Sequence, residues 1–142
     1  PGWNFIEFKK PIIKNINTWF TEYETAGRRK KLKVPKHKNT VESLHGIILT
    51  LTTKSKKNLE TLLGCKIKEQ KVLKDGVTIY IQSGKTDRFE SIIMNSKNIN
   101  KSKEVIGKSG KMVNVLGEEM IQIQPPKNKN ILGWNILIKK YS

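Results

Sequence analysis

The chain has 142 residues, 36% of them hydrophobic, and its 28 Lys plus Arg against 12 Asp plus Glu give a formal net charge of +16. That length and apolar share suit one domain around one core, so a second domain is not expected. No apolar stretch approaches the ~18 residues that span a bilayer, and the lone Cys65 excludes an internal disulfide.

Taken in chain order, Trp3 to Phe8 reads as a short strand. From Pro11 to Glu24 the apolar residues Ile12, Ile13, Ile16, Trp19, Phe20 and Tyr23 fall at helical spacing. Pro11 is allowed in a first turn and Gly27 stands just past the end, so this is the principal predicted helix. A basic run follows, Arg28, Arg29, Lys30, Lys31 and Lys33, in a loop that continues past Pro35 to about Asn39. Gly46 to Thr53 is rich in β-branched residues and predicts a strand, after which Ser55 caps a short helix through Leu59, Leu62 and Leu63 that stops at Gly64. Lys66 to Leu73 and Val77 to Gln82 flank Asp75-Gly76, a dipeptide suited to a type I′ hairpin turn. Ser83 to Asp87 turns into a strand at Arg88 to Met94. A short helix is expected around Lys103 to Ile106. The last strands are Met112 to Leu116, Met120 to Gln124 and Trp134 to Lys140, with Pro125, Pro126 and Lys127 to Asn130 in a loop. The expected fold is α+β, a mainly antiparallel, meandering sheet of about six to eight strands with one principal helix packed on it. No internal repeat is visible.

A large positive surplus repels itself in a compact state and marks a polyanionic partner, nucleic acid or an anionic surface. Residues 1 to 40 hold 10 basic against 3 acidic side chains, and residues 41 to 70 hold 5 against 3, which directs attention to the first forty. Lys-, Asn- and Ile-rich usage from an AT-rich genome is the alternative source of this charge. A single thiol fits a reducing compartment, and the expected location is cytoplasmic. The start at Pro1-Gly2-Trp3 lacks the regions of a signal peptide and predicts a domain taken from a longer protein.

Catalytic signatures are sparse. Ser83-Gly84-Lys85-Thr86 has the end of a phosphate-binding loop, but position 79 is Ile79 where that loop needs glycine, and a strand is expected to follow. Gly107-Lys108-Ser109-Gly110-Lys111 is too short for the same motif. Both read as ordinary turns, with a backbone anion contact as the alternative. Glu69-Gln70-Lys71 could serve a metal-dependent nuclease, yet the first aspartate is Asp75 and none lies upstream. Asp87 and Glu90 read as solvated or salt-bridged. His37, His45 and Cys65 are too scattered for a zinc site, and neither histidine has an evident nucleophile. No metal, cofactor or catalytic set is expected.

Aromatic residues beside positive charge are concentrated between Trp19 and Arg29. Rings or a guanidinium plane stack on a base, a carboxylate accepts hydrogen bonds from a guanine edge, and basic side chains hold phosphates. A methylated, cationic guanine adds a cation-π contribution of ~0.5 to 2 kcal/mol. Against this, Trp19, Phe20 and Tyr23 extend the apolar stripe of Ile12, Ile13 and Ile16, and such a stripe is commonly core.

The segment from Asn15 to Arg29 resembles the cap-binding domain in the large polymerase protein of bunyaviruses, segmented negative-strand RNA viruses that take capped leaders from host messages. In one branch of that family a tryptophan is followed by a second tryptophan, a glutamine and an arginine; here Trp19, Tyr23, Glu24 and Arg28 or Arg29 would correspond, with Tyr and Glu for Trp and Gln. The resemblance implies a non-catalytic domain that binds the m7G cap of RNA 5′ ends, or m7GTP, within a viral RNA polymerase during cap-snatching transcription. It places Trp19, Tyr23, Glu24 and Arg28 on the base, and the basic run behind them, Arg29, Lys30, Lys31 and Lys33, is placed by its charge to hold phosphates or RNA. Its implied partners are capped RNA and the other domains of the polymerase, with no membrane and no metal. The rival readings are a basic assembly protein that coats RNA without a pocket, and an atypical metal-dependent nuclease.

Overall fold

The computed structural model describes residues 3–23, 36–123 and 133–141. Its elements, in chain order, are β1 (Trp3–Glu7), β2 (Trp19–Tyr23), β3 (Val41–Leu51), α1 (Thr53–Leu63), β4 (Lys71–Lys74), β5 (Val77–Ser83), β6 (Arg88–Ser96), α2 (Ile99–Ile106), β7 (Gly110–Val115), β8 (Glu118–Ile123) and β9 (Asn135–Lys140). The class is α+β, as expected. β1 and β2 pair as a two-stranded ribbon, and the other seven strands form one sheet in the order β4-β5-β3-β6-β9-β8-β7.

That sheet is mixed. β3 runs parallel to β5 and β6 parallel to β9, while β3 with β6, β4 with β5, β7 with β8 and β8 with β9 are antiparallel. The expected meander is therefore interrupted twice, and for the same reason each time. A strand is followed by a helix, and a hairpin (β4-β5) or a three-stranded meander that opens on a hairpin (β7-β8-β9) then returns its last strand parallel to the first: β3-α1-β4-β5, then β6-α2-β7-β8-β9. The hairpin turns match as well, with consecutive positive φ at Asp75 (50°) and Gly76 (80°) and again at Leu116 (56°) and Gly117 (79°), the backbone of a type I′ turn. The two units meet at the antiparallel β3–β6 pair, so the chain contains a topological repeat that its residues do not advertise.

The predicted helix at 11–24 is not formed, and this is the main correction to the sequence reading. Ile13 and Ile16 close a turn through Ile16 N–H to Ile13 O at 3.3 Å, with Asn15 at φ 66°. Asn tolerates that left-handed conformation, and its presence ends any helix before the second turn. Beyond it, Trp19-Phe20-Thr21-Glu22-Tyr23 is rich in aromatic and β-branched residues and has a partner strand in register, Glu7 opposite Trp19 and Trp3 opposite Tyr23. The principal helix is α1 instead. Thr52, rather than Ser55, is its N-cap and accepts from Ser55 N–H at 3.3 Å; Gly64 ends it in the left-handed region at φ 65°.

Strand alternation sorts the interior into two clusters, one on each face of the sheet. Leu59 of α1 packs with Ile13, Leu49, Leu51, Ile67 and Ile81, joined by Ile12 and Ile16. On the opposite face Ile48, Ile93, Met120 and Leu137 form the second cluster, with Tyr80, Val113 and Val115 against it. α2 is fastened by hydroxyl groups: the buried Ser96 and Ser102 lie 2.7 Å apart, and Thr40 Oγ1 reaches both. Among the described residues no helix is long and apolar enough to cross a membrane.

Candidate functional site

Of the residues expected to hold a base, Trp19 is described in full. It opens β2, and its side chain is 55% exposed. The apolar stripe is thus divided: Ile12, Ile13 and Ile16 enter the core, while Trp19 projects from the ribbon. Tyr23 lies at the far end of the same strand. Glu24, Arg28, Arg29, Lys30, Lys31 and Lys33 lie outside the described residues.

Trp19 lines a cavity of about 290 Å³ together with Glu7, Phe8, Asn17 and Thr18. Glu7 is its register partner on β1, so strand pairing alone sets a carboxylate beside an indole. The Thr18 hydroxyl oxygen is buried and has no hydrogen-bond partner among the described residues. Buried hydroxyl groups are rarely left unpaired, so an orphan in a cavity wall marks a position suited to a ligand atom. Glu7 was not singled out from the sequence. Its signal existed only in the β1–β2 register, and the helical reading of 11–24 hid it.

A second cavity, of about 320 Å³, adjoins the first through Pro11 and is lined by Lys14, Lys54, Lys85, Asn58 and Asp87 among others. Asp87 is 4% exposed, not solvated as expected from its place on a turn. It accepts from Thr52 N–H at 2.7 Å and from Ser55 Oγ at 2.5 Å. Burial is the largest single influence on this carboxyl and raises its pKa, but hydrogen bonds from Ser55, Thr52 and the Lys14 backbone together outweigh it and hold the group below the usual aspartate range. Glu90 is salt-bridged as expected, 3.0 Å from Arg88, and also accepts from Thr50 Oγ1 at 2.6 Å. Ser83 ends β5, and Gly84, Lys85 and Thr86 lie in the link to strand β6, not before the helix that a nucleotide-binding loop requires. Glu69 and Gln70 occupy a turn with positive φ before β4.

The helix-free face carries a third polar group. His45 Nε2 lies 3.1 Å from the Tyr80 hydroxyl. Lys139 is 5% exposed and pairs with Glu118 at 2.6 Å. Burial, and secondarily the Lys139 charge, hold the His45 imidazole below its ordinary pKa, with Glu118 opposing. Its neutral form is therefore favoured. Asn95, register partner of Lys139, donates to Ser43 Oγ at 3.2 Å while its buried Oδ1 lacks a partner among the described residues. No three His, Cys, Asp or Glu side chains converge as a metal site among the described residues.

No family model matches the chain, and no curated protein matches it. Its fold does match solved structures. One is methylmalonyl-CoA epimerase from Mycobacterium tuberculosis, with TM-score 0.50 and 8% identity over 72% of this chain and 90% of that one. Another is a hypothetical protein from Staphylococcus aureus, with TM-score 0.57 and 15% identity over 98% of this chain; the chain spans half of that protein's length. At these identities the likeness is one of fold alone. The paired strand-helix-hairpin units and the central β3–β6 pair are the features of this chain that define its own version of it.

Proposed function

We propose that this domain binds a purine nucleotide, in its most specific form the m7G cap at an RNA 5′ end, without catalysing a reaction on it. One observation carries the reading: a half-exposed tryptophan and a carboxylate are held side by side at a cavity by strand register, with a buried hydroxyl in the wall that has no partner among the described residues. The indole offers a stacking face. Glu7, the carboxylate at the described cavity, is the candidate acceptor for a guanine edge, while Glu24 lies outside the described residues. The formal charge of +16 favours a polyphosphate or RNA partner.

The test is thermal shift and calorimetry with m7GTP and GTP at moderate salt, on the chain and on Trp19→Ala. A buried Trp replaced by Ala costs ~3 to 5 kcal/mol; an exposed one should cost far less, while a stacking contact of ~1 to 3 kcal/mol is lost from binding. Retained fold with lost binding supports the pocket. Binding unchanged in Trp19→Ala and Glu7→Gln would remove it, leaving the coating of RNA by lysines as the surviving reading.

A second reading draws on the fold likeness to an epimerase and on the neutral His45 held against Tyr80. A neutral imidazole can take a proton from an acidic carbon, and an acyl-CoA substrate would carry its own nucleotide and phosphates to a basic chain. Incubation with methylmalonyl-CoA in D₂O reads this directly. Deuterium entering the α-carbon, and failing to enter with His45→Gln, would favour it; absence of exchange with the unaltered chain would dismiss it.

A further inference from the structure

We infer that the cavity bounded by Lys14, Lys54 and Lys85 is a binding site for a diphosphate group, distinct from the tryptophan pocket and standing on its own geometry.

Three segments that are distant in sequence each bring one lysine to this cavity. Lys14 lies in the turn closed by Ile13 and Ile16, Lys54 in the first turn of α1, and Lys85 in the link between β5 and β6. The buried Asp87 carboxylate ties the three together, since its hydrogen-bond donors are Thr52 and Ser55 on either side of Lys54 and the backbone of Lys14 itself, while Asp87 stands two residues beyond Lys85. The β5–β6 link is seated by Gly84, whose N–H donates to Leu51 O at 3.0 Å. A Cβ at that position would come within 2.2 Å of the Thr50 methyl, so only glycine allows the link to approach β3 this closely. The lysine positions are therefore built by the interior and not by chance exposure.

The helix end is not what makes the site. Thr52 Oγ1 takes the Ser55 N–H, and the N–H of Thr52 itself, the N-cap residue, goes to Asp87. What remains at the cavity is charge. None of Lys14, Lys54 and Lys85 belongs to an ion pair among the described residues, although Lys66, Lys97, Lys101 and Lys139 each do. One ionised aspartate, its oxygens turned to the backbone and Ser55, leaves an excess of two positive charges among the three lysines around a space of about 320 Å³. That volume is at the small end for ligand pockets, roughly 300 to 1,000 Å³, and has room for a diphosphate. Asn58 also lines the wall, its Nδ2 engaged with Ile12 O at 2.9 Å. Compact ammonium groups with several rotatable donors are the side chains that hold phosphate as point charges.

The probe is inorganic pyrophosphate, titrated calorimetrically into the 142-residue chain, with GTP in a parallel arm to separate a nucleotide's phosphates from free ones. Saturable binding is expected, weakened about tenfold for each of Lys14→Ala and Lys85→Ala, the loss of one charge-assisted contact. Both lysines are exposed, so the circular dichroism and melting curve of these variants should match the parent. The matched controls are Lys103→Ala and Lys108→Ala, exposed lysines of α2 and the turn after it. If they weaken pyrophosphate binding as much as the cavity lysines do, the attraction is diffuse and the site is overturned; absence of saturation overturns it too. Trp19→Ala separates this result from the nucleotide reading, because it should leave pyrophosphate affinity unchanged while lowering GTP affinity.

Discussion

Asp87 shows how much one side chain can organise. Its carboxylate is buried yet held ionised by donors from Thr52, Ser55 and Lys14, so Asp87→Ala would leave two backbone amides and a hydroxyl without this acceptor inside the protein. The expected loss is about 3 kcal/mol at neutral pH, read by urea denaturation. Its pKa is depressed in the folded state, so the carboxylate's contribution is present above the unfolded value near ~3.9 and fades as pH falls through the folded value. The stability gap between parent and Asp87→Ala should therefore be constant from pH 7 to about 4 and narrow below that. A gap that stays open in acid would mean that the hydrogen bonds do not depend on ionisation. His45 acts in a higher window. Its folded pKa is also depressed, so the unfolded chain takes up the proton first, and stability is lost as pH falls below ~6.5. His45→Gln should flatten the stability profile between about pH 6.5 and 5, and an unchanged profile would contradict the burial argument.

At the scale of elements, α1 was legible because its signals are local: a threonine and a serine at the start, leucines at helical spacing, a left-handed glycine at the end. The ribbon was not. The residues from Ile12 to Tyr23 satisfy a helical period, but period is silent on whether a second strand waits to pair, and Asn15 with positive φ breaks the helix where spacing alone sees none. The same ambiguity concealed Glu7, which matters only once it is opposite Trp19. Parallel pairing of β3 with β5 imposes its own demand at Gly46. A Cβ there would lie 2.2 Å from the Thr78 carbonyl oxygen, a backbone atom that cannot swing aside. Gly46→Ala should cost about 3 kcal/mol, at the upper end for overpacking, with Tm reduced accordingly. If the variant melts with the parent, β3 and β5 are not this close.

For the whole molecule, the two strand-helix-hairpin units share the β3–β6 seam, so each face of the sheet is continuous across both. One face is covered by α1 and the turn at Ile13; the other carries His45, Tyr80, Glu118 and Lys139 over an apolar floor. The net charge of +16 belongs to this scale as well. If several lysines meet phosphates, affinity for a short single-stranded RNA should fall with salt, each neutralised phosphate adding about −0.7 to the log-log slope. A flat response between low and moderate salt would show that the charge has no part in binding.

Composition and local spacing by themselves determined the α+β class, most of the strands, α1, the Asp75-Gly76 hairpin and the basic character, because propensity, capping and turn chemistry act within a few residues. Trp19 could be named from the sequence as an aromatic near basic residues, but whether it was core or surface could not, since burial depends on what packs against it. Tertiary structure alone decided that, together with the parallel pairs, the repeat hidden in the topology, the meeting of Glu7 with Trp19, and the gathering of Lys14, Lys54 and Lys85 around Asp87. Each of these joins residues distant along the chain, and their contacts come from strand register and core packing, which no local pattern encodes.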